Sequence, residues 1–166
     1  MNKLKEEFIE SFGEDKWNEL EILKPLQDAV DLVCNEYLGI EPIPVVFEAL
    51  PEDVARYDFK LEVIILNNKY KDDFIELLDG CLHELEHHWQ RLYIANNNTP
   101  KALRWKKEFE SYDKYNQIQE IEIDACAFSQ VILSCEFGLS YKHPNQYIQL
   151  LIDDYINSRK ILKDEW

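Results

Sequence analysis

Three of the four histidines in this chain lie within six residues of one another, at a spacing suited to binding a metal ion. The segment over residues 81–89 contains His83-Glu84-x-x-His87. Residues four apart share one face of a helix, so both imidazoles can reach a single ion. Two ligands from one helical turn leave room for a third protein ligand and an open coordination position, which is the arrangement of catalytic zinc sites.

Glu84 directly follows the first imidazole, where its carboxylate can position and deprotonate a water on the metal. The alternative is a helix whose His and Glu side chains only form a solvated face. Apolar residues around the motif recur every three or four positions, which predicts a largely buried helix and argues against that alternative. These residues are Phe74, Leu78, Cys81 or Leu82, Leu85, Trp89 and Leu92. The sequence therefore favours one zinc ion on His83 and His87, with Glu84 as the general base.

Length and composition predict a single folded domain. The chain has 166 residues, of which 46% are hydrophobic and 13% aromatic, enough for a real core. The formal net charge is −15, from 33 acidic and 18 basic residues. Such a surface repels phosphate, so we expect no nucleic-acid partner and no anionic membrane partner. A protein or peptide substrate that is neutral or basic suits this charge better.

The cysteines and the N-terminal segment predict a cytoplasmic protein. Residues 1–7 are charged and lack the apolar core of a signal peptide. No apolar run approaches the length of a membrane span. Cys34, Cys81, Cys126 and Cys135 form no CxxC pair, and we expect reduced thiols that line the core. Cys81 and Cys126 lie near the motif and could be ligands, although a small core residue is the commoner role.

Periodicity, glycines and prolines predict the other elements. The predicted helices before the motif cover residues 3–12, 15–23 and 25–39, and the predicted strands cover residues 45–50 and 61–66. We expect these helices to cover one side of the sheet. The motif helix begins near residues 71–73 and ends at residues 96–100, and a further helix covers residues 101–112. Tyr112 and Tyr115 follow, and a tyrosine there could stabilise an oxyanion, but packing is the more ordinary role.

A second helix, over residues 119–133, carries three carboxylates near its start, and burying one of them would require a cation. Successive helical residues turn by about 100°. The apolar arc that results contains Ile121, Ala125, Phe128 and Ile132. Glu122 falls at the margin of this arc, Asp124 on its opposite flank, and Glu120 points largely away. We therefore predict Glu122 as the third ligand and Asp124 as an acceptor for a ligand imidazole N–H, with Glu120 open as an alternative ligand.

The two motifs together resemble those of the ImmA/IrrE-type zinc metallopeptidases, which are small gluzincin-like proteins of bacteria, phages and integrative elements. The motifs are His83-Glu84-x-x-His87 and Glu122-x-Asp124-Ala125-x-x-Phe128-Ser129. This chain departs from the second family motif at Ser129, where the family has Ala. The similarity covers residues 40–135 and implies zinc on His83, His87 and Glu122. It also implies regulatory proteolysis in the cytoplasm, and a strand over residues 61–66 at the edge of the sheet.

These observations lead to an α+β prediction: a mostly helical, zincin-like domain with a short mixed or antiparallel sheet. Its edge strand is expected to pack against the motif helix, beside a second helix that carries the third ligand. The predicted single domain, residues 1–166, has a helical part (1–40), a metal-site core (41–135) and a C-terminal helix (144–162). We expect a zinc-dependent metallopeptidase that hydrolyses a peptide bond of a protein substrate through a metal-activated water. The alternatives are a non-catalytic zincin-fold binding or sensor protein, motivated by the lack of an assignable oxyanion donor, and a purely structural acidic protein without metal.

Overall fold

A computed structural model describes residues 3–113 and 116–158 of the chain. The helices are α1 (Lys3–Phe12), α2 (Glu14–Val33), α3 (Phe74–Asn96), α4 (Pro100–Glu110), α5 (Glu120–Phe137) and α6 (Gln146–Ser158). The strands are β1 (Val45–Glu48), β2 (Ala55–Asp58) and β3 (Val63–Asn67). The chain is therefore mostly helical with a small sheet, as the α+β prediction required. No helix in this described part is long and apolar enough to cross a membrane.

The chain divides into two compact units, and the division falls within α3, after Cys81. The first unit contains a three-stranded sheet in the order β1-β3-β2. Strand β1 runs parallel to β3, and β2 runs antiparallel to it. The predicted edge position of the strand over residues 61–66 is therefore wrong, because β3 is the central strand. Its backbone is paired on both sides, so no extended peptide can add to it.

The burial of β3 explains this central position. Ile64, Ile65 and Leu66 are all buried, and such a continuous apolar run is typical of a strand covered on both faces. Strand β2 was not predicted, because its four residues Ala-Arg-Tyr-Asp are short and half charged. The loop between β1 and β2 is fixed by the buried Asn67, whose amide donates hydrogen bonds to the carbonyl oxygens of Leu50 and Asp53, each at 2.9 Å.

Helix α2 is continuous where the sequence predicted two helices. Pro25 lies inside it, and Leu26, Val30 and Val33 beyond the proline are completely buried. An interior proline costs a helix about 3 kcal/mol, and packing of this apolar stripe offsets that cost. As predicted, α2 packs on the sheet. The Gln27 side chain reinforces the contact by accepting a hydrogen bond from the Val45 N–H at 2.8 Å.

Gly80 allows the beginning of α3 to approach β2 closely. A Cβ atom at this position would lie 2.9 Å from the Cβ of Ala55. That distance is shorter than side-chain carbons tolerate, so any larger residue would push the helix away. The glycine inside the motif helix is thus explained by close packing, which was one of its two predicted roles.

In the second unit, α5 is buried on two sides. Its predicted apolar arc is buried, since Ile121, Ala125, Phe128 and Ile132 are at most 1% exposed. A second side of α5 packs on α6. The residues of this contact are Ile123 and Ala127 of α5 with Ile148 and Ile152 of α6. The predicted C-terminal helix extended to residue 162, and its last residues lie outside the described part of the chain.

All four cysteines are free. Cys34 and Cys81 are buried, as predicted for thiols that line the core. Cys126 is only partly buried and Cys135 is exposed, so the prediction is wrong for Cys135. Cys135 lies in the last turn of α5, where the helix has passed its buried section.

Candidate metal centre

His83 and His87 of α3 and Glu122 of α5 form one cluster, in which a ligand atom from each lies within 4.8 Å of the others. The two imidazole Nε2 atoms are 3.1 Å apart. Glu122 Oε2 lies 3.3 Å from His83 Nε2, and Glu122 Oε1 lies 3.2 Å from His87 Nε2. The sequence-predicted ligands therefore come together from two helices at the positions assigned to them.

These distances fit the coordination sphere of a small divalent metal. Zinc–ligand bonds of about 2.0–2.1 Å at tetrahedral angles separate neighbouring ligand atoms by about 3.3–3.4 Å. Glu122 Oε1 is also buried and makes no well-directed hydrogen bond within the described part of the chain. A carboxylate oxygen buried in this way is stabilised by a cation. The three residues can thus hold a metal ion.

The charges of the cluster stabilise one another in the metal-free protein. Burial opposes protonation of His83, but the neighbouring Cys126 and Glu122 raise its pKa well above the usual value. Burial likewise opposes ionisation of Glu122, but His83 and His87 hold its pKa far below the usual range. A proton shared within this cluster occupies the place that a metal ion would take, so metal and proton compete for the same side chains.

The nitrogen of His87 that faces away from the cluster has its own hydrogen-bond partner. His87 Nδ1 lies 2.9 Å from Gln90 Oε1. Gln90 Nε2 in turn donates to Asp124 Oδ2 at 2.8 Å, and the Tyr155 hydroxyl donates to Asp124 Oδ1 at 2.6 Å. Asp124 was predicted to accept a hydrogen bond directly from a ligand imidazole. Instead, Gln90 lies between them, so Asp124 supports His87 only through Gln90. Gln90 reaches His87 directly because it lies three residues later on the same helical face.

His83 has a different partner behind it. Its Nδ1 atom lies 3.6 Å from the Cys126 Sγ atom. Because the cluster uses Nε2 of His83, the thiol stands at the opposite ring nitrogen and not among the grouped ligand atoms. The alternative of Cys126 as a ligand is therefore not supported by this geometry. Cys81 is completely buried in α3 and does not belong to the cluster either.

Glu120, the alternative third ligand, is engaged elsewhere. Its carboxylate accepts hydrogen bonds from the Arg104 guanidinium at 3.1 and 3.2 Å. The first backbone N–H groups of α5 are capped by Glu108, which accepts from Ile121 N at 2.9 Å. Of the three carboxylates at the start of α5, only Glu122 thus faces the histidines. Glu84, which follows His83 in α3, is partly exposed and is not one of the grouped ligand residues.

Tyr112 is a half-exposed residue near the cluster, and from the sequence it was one of two tyrosines that could stabilise an oxyanion. Its phenol lies close enough to the Glu122 and Glu84 carboxylates for their charges to act on it. Partial burial and these two negative charges raise the pKa of Tyr112, so the phenol keeps its proton and remains a donor. The only sequence signal was its place after the apolar stripe of α4. Tyr115, the other tyrosine considered, lies outside the described residues.

The fourth histidine, His143, lies in a turn before α6, as its Pro neighbour predicted. Its Nδ1 accepts a hydrogen bond from the Asn145 N–H at 3.0 Å. His143 is not one of the grouped ligand residues. This leaves it as an internal reference against which the two clustered histidines can be compared.

Comparisons with protein-family models, with curated proteins and with solved structures find no match for this chain. Fold and site by themselves define a mostly helical α+β protein with two histidines and one glutamate arranged to bind a metal ion. The reaction that such a site could catalyse depends on the groups around it, of which Glu84 and Tyr112 are the most informative.

Proposed function

We propose that the chain is a zinc-dependent metallopeptidase of the ImmA/IrrE type that hydrolyses a peptide bond of a protein substrate. One observation carries this proposal: His83, His87 and Glu122 present three ligand atoms at zinc-like separations. The residue that follows His83 is a glutamate, as in zinc peptidases with the same motif. Two histidines and one glutamate are an established ligand set of catalytic zinc.

The surrounding residues have roles that hydrolysis requires. His83, His87 and Glu122 would hold a zinc ion, which would supply Lewis-acid polarisation of the scissile carbonyl and lower the pKa of a water. Glu84 accepts the proton of the attacking water at its carboxylate and passes it to the leaving amide nitrogen. The Tyr112 phenol, which keeps its proton beside Glu84 and Glu122, donates a hydrogen bond to the oxygen of the carbonyl under attack.

Tyr112 also bears on the choice between an enzyme and a non-catalytic binding or sensor protein. The sequence alone offered no specific oxyanion donor, and that gap was the reason for considering a non-catalytic protein. A phenol near the proposed base is a candidate for this donor and supports the enzyme proposal. With 33 acidic residues against 18 basic ones, the chain is better matched to a neutral or basic substrate segment than to an acidic one.

The test is cleavage of an unfolded protein by zinc-loaded wild type and by Glu84→Gln, followed by mass spectrometry of the fragments. Removing a general base lowers the rate by about 100-fold or more, whereas the zinc content should not change because all three ligands remain. Glu136→Gln, at an exposed glutamate of α5, serves as the control and should cleave like wild type.

Each other result has a definite meaning. If Glu84→Gln cleaves at the wild-type rate, Glu84 is not the base and the mechanism is wrong. If wild type binds zinc but cleaves none of a broad set of unfolded proteins and peptides, the non-catalytic alternative is supported. If wild type binds no zinc, the metallopeptidase proposal fails altogether.

A further inference from the structure

A chain of hydrogen bonds runs behind His87 and joins three helices of the second unit. It begins at His87 Nδ1 on α3, passes through Gln90 and Asp124, and ends at the Tyr155 hydroxyl on α6. Gln90 and Asp124 are both completely buried. The proposed peptide hydrolysis assigns no role to Gln90, Asp124 or Tyr155.

The partners of Gln90 fix which way its amide group points. Its Nε2 atom faces the carbonyl oxygen of Ile121 at 3.0 Å and Asp124 Oδ2 at 2.8 Å. Both of these oxygens only accept hydrogen bonds, so the atom that faces them must be the NH₂ group. The amide oxygen of Gln90 is then the atom that faces His87 Nδ1. Asp124 stays in place because it also accepts from the Tyr155 hydroxyl.

An amide oxygen cannot donate a hydrogen bond, so His87 Nδ1 must carry the proton in this contact. In a neutral imidazole the other nitrogen, Nε2, is then unprotonated and has a free lone pair. Nε2 is the atom that faces His83 and Glu122. We propose that Gln90 is a positioning residue that fixes His87 in its metal-binding tautomer, with its amide oriented by Asp124 and Tyr155. This inference rests on the proposed metal site.

The other ligand histidine gives an internal contrast. Behind His83 stands a thiol, at 3.6 Å, and a thiol is a weak acceptor that can rotate. The amide behind His87 has no such freedom, because both of its N–H groups are already committed. The Gln90 chain therefore makes α6 a distant support of the site, through Tyr155.

The test compares zinc affinity, measured by chelator competition, in Gln90→Met and in a matched control. Methionine keeps the length of the side chain but removes the acceptor and both donors. Gln130→Met is the control, because Gln130 is a buried amide of the same unit that exchanges two 2.9 Å hydrogen bonds with Gln149. We expect Gln90→Met to weaken zinc binding by about 10- to 100-fold, the usual cost of removing such a partner. The control should change zinc affinity by less than about threefold on the same scale.

A second variant and a direct measurement complete the test. The double variant Gln90→Glu with Asp124→Asn exchanges acceptor and donor between these two positions, so position 90 still accepts from His87 Nδ1 and is oriented from position 124, but it no longer donates to the Ile121 carbonyl oxygen. It should recover part of the zinc affinity that Gln90→Met loses. In the zinc-loaded wild-type protein, nitrogen-15 NMR of the ring nitrogens should find the His87 proton on Nδ1 and none on Nε2.

These measurements separate failure of the inference from failure of the proposed function. Wild-type protein that binds zinc, together with equal affinities of Gln90→Met and Gln130→Met, would overturn the positioning role. Zinc-loaded wild-type protein in which His87 Nδ1 carries no proton would overturn it without any variant. Wild-type protein that binds no zinc would overturn the proposed function, and the positioning role would fall with it.

Discussion

The two units of the chain differ in how they treat buried polar side chains. Among the described residues, the first unit buries one of them, Asn67, whereas the second unit buries seven. Those seven are Glu86, His87, His88, Gln90, Asp124, Ser129 and Gln130. Burying a polar group without a partner costs about 1–3 kcal/mol in proteins. The second unit therefore needs a more extensive compensating network than the first unit.

The hydrogen bonds of these buried side chains have different partners in the two units. Asn67 serves the backbone, since its amide binds two loop carbonyl oxygens. In the second unit, side chains bind one another, from His87 through Gln90 to Asp124. A loop needs only satisfied carbonyls, whereas oriented side chains are what a metal site needs. Buried groups with strongly shifted pKa values, such as Glu122, also concentrate at functional sites.

The largest effect on zinc affinity should come from a substitution among the carboxylates at the start of α5. We expect Glu122→Ala to weaken zinc binding by more than about 100-fold, beyond the loss seen for residues that only support a ligand. Glu120→Ala should hardly change it, because that carboxylate pairs with Arg104. Chelator competition measures both. If Glu120→Ala loses the metal and Glu122→Ala retains it, the assignment of the third ligand is wrong.

The free energy of unfolding should fall as the pH rises in the metal-free protein and should rise with pH in the presence of zinc. The lowered pKa of Glu122 gives stability that is present above about pH 4.3, its unfolded value, and is lost as the pH falls through the folded pKa. The raised pKa of His83 gives stability that is complete below about pH 6.5 and is lost as the pH rises through the folded pKa. Metal-free protein should therefore lose stability above about pH 6.5, where zinc binds best.

Thermal unfolding between pH 5 and 9, in chelator and in zinc, measures this reversal. His83→Ala is the control, because it removes the group responsible while leaving the other charges in place. The decline of metal-free stability above about pH 6.5 should be smaller in that variant than in wild type. Equal declines in the two proteins would contradict the proposed role of the cluster charges.

A smaller and purely structural effect is expected in the first unit. Asn67→Ala leaves the carbonyl oxygens of Leu50 and Asp53 without their donor and should lower the free energy of unfolding by about 1–3 kcal/mol. Zinc affinity should not change, and urea unfolding together with chelator competition can check both. A large loss of zinc affinity in Asn67→Ala would contradict the purely structural role assigned to Asn67.

The three residues that could hold a metal ion could be predicted from the sequence because the information is local. His83 and His87 share a helical face by spacing alone, and the phase of the apolar residues in α5 selects Glu122 over Glu120. The predicted apolar arc of α5 is buried, and its residues could be grouped from the helical spacing alone. Such features need only the geometry of a single helix.

Other features could not be predicted, because they depend on contacts between distant segments. Helix α2 continues through Pro25 because packing of Leu26 and Val30 outweighs a local penalty. The central position of β3 depends on its pairing with β1 on one side and β2 on the other. The sequences of β1 and β2 do not by themselves indicate this order. In the sequence, Gln90 is an ordinary helical glutamine. Its role depends on Asp124, 34 residues later, which orients its amide.

The most direct test of the metal centre is the zinc content of the purified protein by elemental analysis. Wild type and His143→Ala, which alters the histidine outside the cluster, should each contain about one zinc per chain. The double variant His83→Ala with His87→Ala should contain none, and a chelator should lower the melting temperature of wild type towards that of the double variant. Wild-type zinc content in the double variant would contradict the account.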